Sequence, residues 1–456
     1  MKNLFLVLIS LGFLVTTQAQ KETPPAGSTP KDFSLPVEES FTLSNGIGVT
    51  FIKFGEIPKV SINIYIAAGK YFEKKGETLI SSMAADMLIE GTKSRSNEVL
   101  AGQASSYGAD LVSGSGNDLA YLATDAISDF TPQVIELLAD CLINPAHDEK
   151  TFERIKGDYQ RNINISNTTP QIVVDEEFKW LFFGDTPYGR KNPQSVESFK
   201  VNQVISYYKE NYGPANTYIY IAGNFDFAKA KDALEKHFGS WKTDAVTNKY
   251  ETTAFSNKKQ TKVLNKSGAS QSTIMLGIPS PGPLDPDAPA FEVMNLLLGG
   301  FFSSRITSNI REDKGYTYSP GSFISNRFQK SYWVFQADVT TNVTGPAINE
   351  VFYEIEKMRT EAPTEKELAG LKNYATGIYI LQNSSRGGII SKLNSIRYQN
   401  LPKTNLTEYL KRINSVTVED VKNVAIKYLH IDKMTSVILG DEEIIMPQLE
   451  ETSILE

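Results

Sequence analysis

The sequence predicts an α+β fold built from two similar, duplicated domains, each an antiparallel-rich sheet with helices packed on one side. Three observations carry that expectation. Strand-like and helix-like runs follow one another in the same order twice along the chain. The two series end alike: "QVISYYKENYGPANTYIYIAGN" (203–224) and "DVKNVAIKYLHIDKMTSVILGD" (420–441) align without a gap, each a helix, a turn, and a strand closing on Gly223 or Gly440. Finally, 456 residues of which 41% are hydrophobic suffice for two full cores.

Taken in order, "MKNLFLVLISLGFLVTTQAQ" offers a basic Lys2, an apolar run from Leu4 to Val15, and small Thr17 and Ala19 before a cleavage point. This predicts a signal peptide over 1–19, with an apolar run too short to remain as a transmembrane helix. The protein is therefore expected to be exported, in a bacterium to the periplasm, soluble or loosely associated with the envelope. No cysteine follows the signal to carry a lipid. Residues 20–36, "QKETPPAGSTPKDFSLP", read as a Pro-rich tether. The first domain spans 37–241. It opens on a hairpin marked by Asn45-Gly46, then the alternating strand of Val60, Ile62, Ile64 and Ile66. A helix follows, with Leu79, Ile80, Met83, Met87 and Leu88 on one stripe and Gly91 at its end. Polar residues 242–261 form the linker. The second domain, 262–448, repeats the order: strand "QSTIMLGI", helix "APAFEVMNLLLGG", strand "SYWVFQADV", then two helices, the second opened by a Thr364/Glu367 capping box.

A net charge of −7 disfavours nucleic-acid and anionic-membrane partners, which select basic faces, and no later apolar run is long enough to span a bilayer. Cys141 falls on the apolar face of a helix that Pro145 ends, as a buried structural thiol would. The three histidines, His147, His237 and His430, are scattered without ligand spacing and read as surface or capping residues.

The order of elements, together with "MLIEGTKSRS", "SSYGADLVSGSGNDLAYLAT", "TPYGRKNPQSVESF" and "SSRITSNIREDKGYTYS", resembles the pitrilysin/insulinase-like zinc metallopeptidases, the family of the mitochondrial processing peptidase. The resemblance covers nearly all of the chain beyond the tether. It implies a helix carrying His-x-x-Glu-His just before the "MLIEGT" segment, two histidines holding zinc and a glutamate activating water. In this register the ligand positions are Ser82 and Asp86, the base position is Ala85, and the third ligand falls at about Asn162. Neutral Ser82, amide-bearing Asn162 and a single carboxylate make a poor zinc site, and Ala85 cannot take a proton. No metal or other cofactor is expected in this chain. Small residues on that helix are expected to line an open cavity.

The resemblance also implies an arginine and a tyrosine seven residues apart that hold the substrate carbonyl and developing oxyanion; Arg311 and Tyr318 stand at that spacing. Read without the resemblance, Arg311 pairs with a neighbouring acid, and Tyr316 and Tyr318 are strand aromatics sharing a face. Gly299 and Gly300 close the preceding helix or let a bound strand approach. The expectation is a non-catalytic subunit of a heteromeric exported zinc metallopeptidase, with no catalysis alone. It would lend Arg311 and Tyr318 to a homologous zinc-bearing partner, zinc sitting in that partner and a peptide as substrate. The alternative is a catalytically silent peptide-binding or scaffold protein of the same fold.

Overall fold

The computed structural model describes residues 33–455; the predicted signal peptide and most of the tether lie outside the described residues. Within them, the Asn45-Gly46 turn, with Gly46 at φ +94°, joins β1 (Glu38–Thr42) to β2 (Gly48–Lys53) as the hairpin signal predicts. β3 (Lys59–Ile66), β4 (Val112–Ser115), β5 (Ala120–Ile127) and β6 (Thr217–Gly223) complete a sheet ordered β1-β2-β6-β3-β5-β4. The second sheet, ordered β7-β11-β8-β10-β9, comprises β7 (Gln260–Asn265), β8 (Gln271–Ser280), β9 (Gly321–Arg327), β10 (Lys330–Thr340) and β11 (Thr435–Gly440).

The duplication is visible strand by strand. β2 lies parallel to β6 as β7 does to β11, and every other pairing is antiparallel. Only β1 lacks a counterpart. Helices α1 (Ile80–Asp86), α2 (Asn97–Ser106), α3 (Thr131–Ile143), α4 (Glu149–Ser166), α6 (Val201–Asn211) and α7 (Phe227–Phe238) cover one face of the first sheet. α8 (Ala288–Asn295), α9 (Thr344–Thr360), α10 (Glu365–Gln382), α14 (Val418–Tyr428) and α15 (Glu442–Glu450) do so for the second. The predicted capping box forms: Thr364 and Glu367 exchange hydrogen bonds at 2.8 and 3.2 Å. Cys141 is fully buried, and burial pushes its thiol up to about 12.

The other face of each sheet is also covered, by a helix from the opposite half. α5 (Pro170–Phe183), encoded in the first half, lays Val174, Phe178 and Phe182 against Met275, Val334, Val437 and Leu439 of the second sheet. In return α11 (Arg386–Tyr398) sets Ile389, Ile390 and Leu393 against Ile52, Tyr220 and Ala222 of the first. The reading of helices on one side therefore describes what each half supplies to its own sheet; the exchange closes the second face. It also explains why β3 is buried on both faces: Val60, Ile62, Ile64 and Ile66 enter the core, while Ser61 accepts a 2.9 Å hydrogen bond from Arg386 on α11.

Segments read as tether and linker are likewise pinned. Phe33 meets the ring of Tyr379 edge-on at 5.2 Å, and Leu35 packs beside it. Asn248 in the linker donates to the Ala67 carbonyl at 2.6 Å, and the Tyr250 hydroxyl to the Asp118 carbonyl at 2.7 Å.

Candidate functional site

The helix that would carry zinc ligands is short. α1 runs seven residues, then tightens into a 3₁₀ turn, Met87–Ile89, before Gly91 at φ +124°. Its start is fixed by Glu73, a buried carboxylate whose Oε1 accepts from the amides of Leu79 (2.9 Å) and Ser81 (3.0 Å) and from the Ser81 hydroxyl (2.7 Å). Glu73 thus caps α1 from outside the helix, and burial pushes its carboxyl up. Ser81 also meets Ser115 at 3.2 Å, which ties α1 to the edge strand β4.

Along α1, Ser82 and Asp86 lie one turn apart and half-buried, but Ala85 between them is 0% exposed and belongs to the core. Ala85 therefore opens on no space of its own, since α1 packs directly on α6, while Ser82 and Asp86 keep part of their surface exposed. From α4, the Tyr159 hydroxyl donates to Asp86 at 2.7 Å. Burial raises the Asp86 carboxyl while this bond opposes the rise; burial and the facing carboxylate hold the proton on Tyr159. Asn162, one turn further along α4, is exposed and makes no hydrogen bond to Ser82 or Asp86. The residue of α4 that meets the old ligand position is therefore Tyr159, a phenol that the register did not single out.

This donor set does not suit zinc. One carboxylate, already receiving a phenol proton, stands beside a neutral hydroxyl, with no base between them. Among the described residues no group of three His, Cys, Asp or Glu side chains is gathered closely enough to hold a metal ion. His147 does not belong to the surface set: it is half-buried at φ +46°, edge-on to Tyr208 at 4.9 Å, and burial lowers its pKa to about 4. His430 does cap a helix, its Nε2 lying 3.1 Å from the Lys427 carbonyl.

In the second half the structure brings the predicted pair together. Arg311 lies on the helical turn Thr307–Asp313, and its guanidinium carbon sits 4.8 Å from the centre of the Tyr318 ring. Phe302 takes the opposite partner role at 4.6 Å. Glu312 pairs with Nε at 3.1 Å, so the acid pairing and the aromatic contact coexist. Tyr316 and Tyr318 flank Thr317, which forms an antiparallel bridge with Val339, and they differ in burial. Thr317 between them anchors the turn through its Oγ1 to the Asp338 carbonyl (2.6 Å), Tyr316 packs against the core, and Tyr318 emerges 79% exposed. Phe302, 63% exposed, is the residue that sequence reasoning missed. Its only signal was a second phenylalanine in a run otherwise made of small polar residues.

Gly299 and Gly300 continue the helix through a wide final turn, Leu296–Gly300, without left-handed backbone. A Cβ at Gly299 would lie 2.5 Å from Ser322 Oγ of β9, and one at Gly300 would lie 2.8 Å from the Asn295 amide. Gly299 allows the helix to approach β9 closely, and Gly300 lets the final turn close against Asn295 of its own helix. No hydrogen bond or ion pair joins Arg311 or Tyr318 to Ser82, Asp86 or Asn162 within the chain.

These features define an α+β protein of two duplicated halves, each with its own sheet and helices. Comparison with known proteins agrees. Residues 53–192 match the family model described as Insulinase (Peptidase family M16), and 198–374 match the one described as Peptidase M16 inactive domain. The chain belongs to the M16, or insulinase, peptidase family. It is similar to the Bacillus subtilis "Uncharacterized zinc protease YmxG", 22% identical over 388 residues, covering 84% of this chain and 94% of that one. The fold resembles the crystal structure of a peptidase M16 inactive domain from Pseudomonas fluorescens, with TM-score 0.81, 22% identity, and coverage of 89% and 98%. It also resembles the periplasmic protease PqqL from Escherichia coli, with TM-score 0.77, 16% identity, and coverage of 92% of this chain and 47% of that one. Among the described residues no helix is long and apolar enough to cross a membrane.

Proposed function

We propose that this chain is the metal-free subunit of a heteromeric, exported zinc metallopeptidase. It presents Arg311 and Tyr318 in trans to a homologous partner that carries His-x-x-Glu-His and the zinc. One observation carries the reading: the zinc-ligand positions are filled by Ser82, core-packed Ala85 and phenol-bonded Asp86, whereas Arg311, partly exposed, contacts the exposed rings of both Phe302 and Tyr318. A permanent cation and a directed phenol donor stabilise the carbonyl oxygen as it gains negative charge. Stacking between two rings fixes the guanidinium before substrate arrives, which lowers the ordering cost at the moment of reaction. The outer edge of β4, joined to α1 through Ser115, is open for an extended peptide to add a strand.

The test begins with the partner, captured on the purified chain from native envelope and selected for an intact His-x-x-Glu-His. Alone, this chain is expected to carry no stoichiometric zinc and to hydrolyse no peptide; mixed with the partner, it restores hydrolysis that neither shows separately. A partner equally active without this chain would overturn the reading in favour of a silent peptide-binding or scaffold protein.

A further inference from the structure

A cavity of about 470 Å³ in the second half plays no part in the reading above. It lies between the edge strand β9 and helices α8, α10, α11 and α13 (Tyr409–Ser415). Its size falls in the range of small-molecule sites. Much of its wall is apolar, formed by Ile324, Ile378, Ile396, Leu406 and Ile413.

The polar groups on the wall are unevenly spent. Asn295 Oδ1 already receives Ser322 Oγ at 2.7 Å and Trp333 Nε1 at 2.8 Å, and Glu292 Oε1 receives the Tyr409 hydroxyl. The donors are in surplus. Lys392 and Ser395, one turn apart on α11, have no side-chain hydrogen bond or ion pair among the described residues. Arg412 holds the Asn405 carbonyl at 2.7 Å through one terminal nitrogen, while its Nε is buried without a partner. Glu292 lies close enough to feel both cations, yet two positive groups face one carboxyl, and burial pushes that carboxyl up towards its neutral form. Lys392 is half-buried on the wall, so its ammonium keeps access to solvent and is free to meet an incoming anion there.

We infer that this cavity binds a small amphiphile, an apolar chain ending in one carboxylate. The carboxylate meets Lys392 and Ser395 with Arg412 adding charge, and the chain lies along the isoleucine wall. Fatty acids and the free C-terminus of a short apolar peptide share this chemistry. The inference does not depend on the peptidase reading.

Isothermal titration of the full chain with octanoate tests it, with octanol and octylammonium as controls. One octanoate site is expected, with both controls at least about tenfold weaker, since charge-assisted bonds are worth about 1.5–3 kcal/mol. Lys392→Met keeps the stem and removes the charge; it is expected to weaken octanoate about tenfold, with an unchanged circular-dichroism melt. Should that variant fail to fold, Ser395→Ala replaces it, with an expected loss of about threefold. Ile378→Trp, which fills the cavity, is expected to abolish binding. Absence of octanoate binding, equal binding of octanol, or undiminished affinity in the folded charge or hydroxyl variant overturns the site. A capped Leu-Leu-Val peptide as acid and as amide then separates the sources. The acid binding tighter than octanoate identifies peptide ends, weaker identifies acyl chains, and an amide equal to the acid overturns the role of the carboxylate.

Discussion

The two halves share a topology strand for strand and differ in what they did with their sites. In the first half, the helix that would hold metal has sunk into its surroundings: Ala85 is in the core, Asp86 is engaged by Tyr159, and Glu73 locks the helix start. In the second half, Arg311, Tyr318 and Phe302 stand proud of a core that holds only their roots. Ala85 is sealed in the core, where unfilled volume is costly, while Ser82 and Asp86 on either side of it keep part of their surface exposed. A partly buried cation in contact with two largely exposed aromatic rings has the opposite character. Large apolar surface left in water is stabilised only when something covers it.

The sharpest way to break this comparison is Arg311→Ala in the reconstituted complex. Turnover is expected to fall about 10²–10³-fold, roughly 3–4 kcal/mol, with co-elution on gel filtration unchanged. Unimpaired turnover would remove the functional half of the contrast. Next in size is Ala85→Glu in the isolated chain. A carboxylate forced into a position with no exposure is expected to cost about 3 kcal/mol or more in urea unfolding. If stability holds, the first half is open after all.

His147 sharpens the claim that the remaining titratable groups of the first half are structural. Burial penalises its imidazolium, so the folded state binds this proton only near pH 4 while the unfolded chain binds it near 6.5. The stability it contributes is present above pH 6.5 and lost as the pH falls towards 4, about 3 kcal/mol in all. His147→Asn, which tolerates the left-handed backbone, is expected to flatten that part of the stability–pH curve. Phe302→Ala should cost less than Arg311→Ala, about three- to tenfold in kcat/KM, with Phe302→Leu in between, since one cation–π face is worth about 0.5–2 kcal/mol. The smallest effect is expected for Asp86→Asn. An amide oxygen still accepts from Tyr159 and relieves the buried charge, so stability at pH 7 should stay within about 1 kcal/mol. A larger loss would mean that Asp86 is needed as an anion.

Much of this was legible in the chain. The gapless match of 203–224 with 420–441 foretold equivalent helix–turn–strand units, and both units carry the central parallel-paired strand of their sheet, β6 and β11. The spacing of Arg311 and Tyr318 foretold a pair, and the rings do meet. Other features left no local trace. Tyr159 lies 73 residues from Asp86, and its helical face could not be aligned to α1 from periodicity alone. That Tyr316 packs against the core while Tyr318 stands exposed could not be read from their alternation. Gly299 and Gly300 could not reveal whether the chain approaching them was a ligand or β9.

The sequence by itself determined the duplicated architecture, the lack of histidine or glutamate at positions 82, 85 and 86, and the seven-residue spacing of Arg311 and Tyr318, because residue identity and short-range periodicity are local properties. Only the tertiary structure decided that α5 and α11 exchange between the halves, that position 85 is sealed, and that Phe302 completes the stack on Arg311. The first two outcomes depend on which apolar surfaces meet between segments far apart in the chain, the third on how a short irregular turn places two side chains nine residues apart. Burial is a property of neighbours that no stretch of sequence contains.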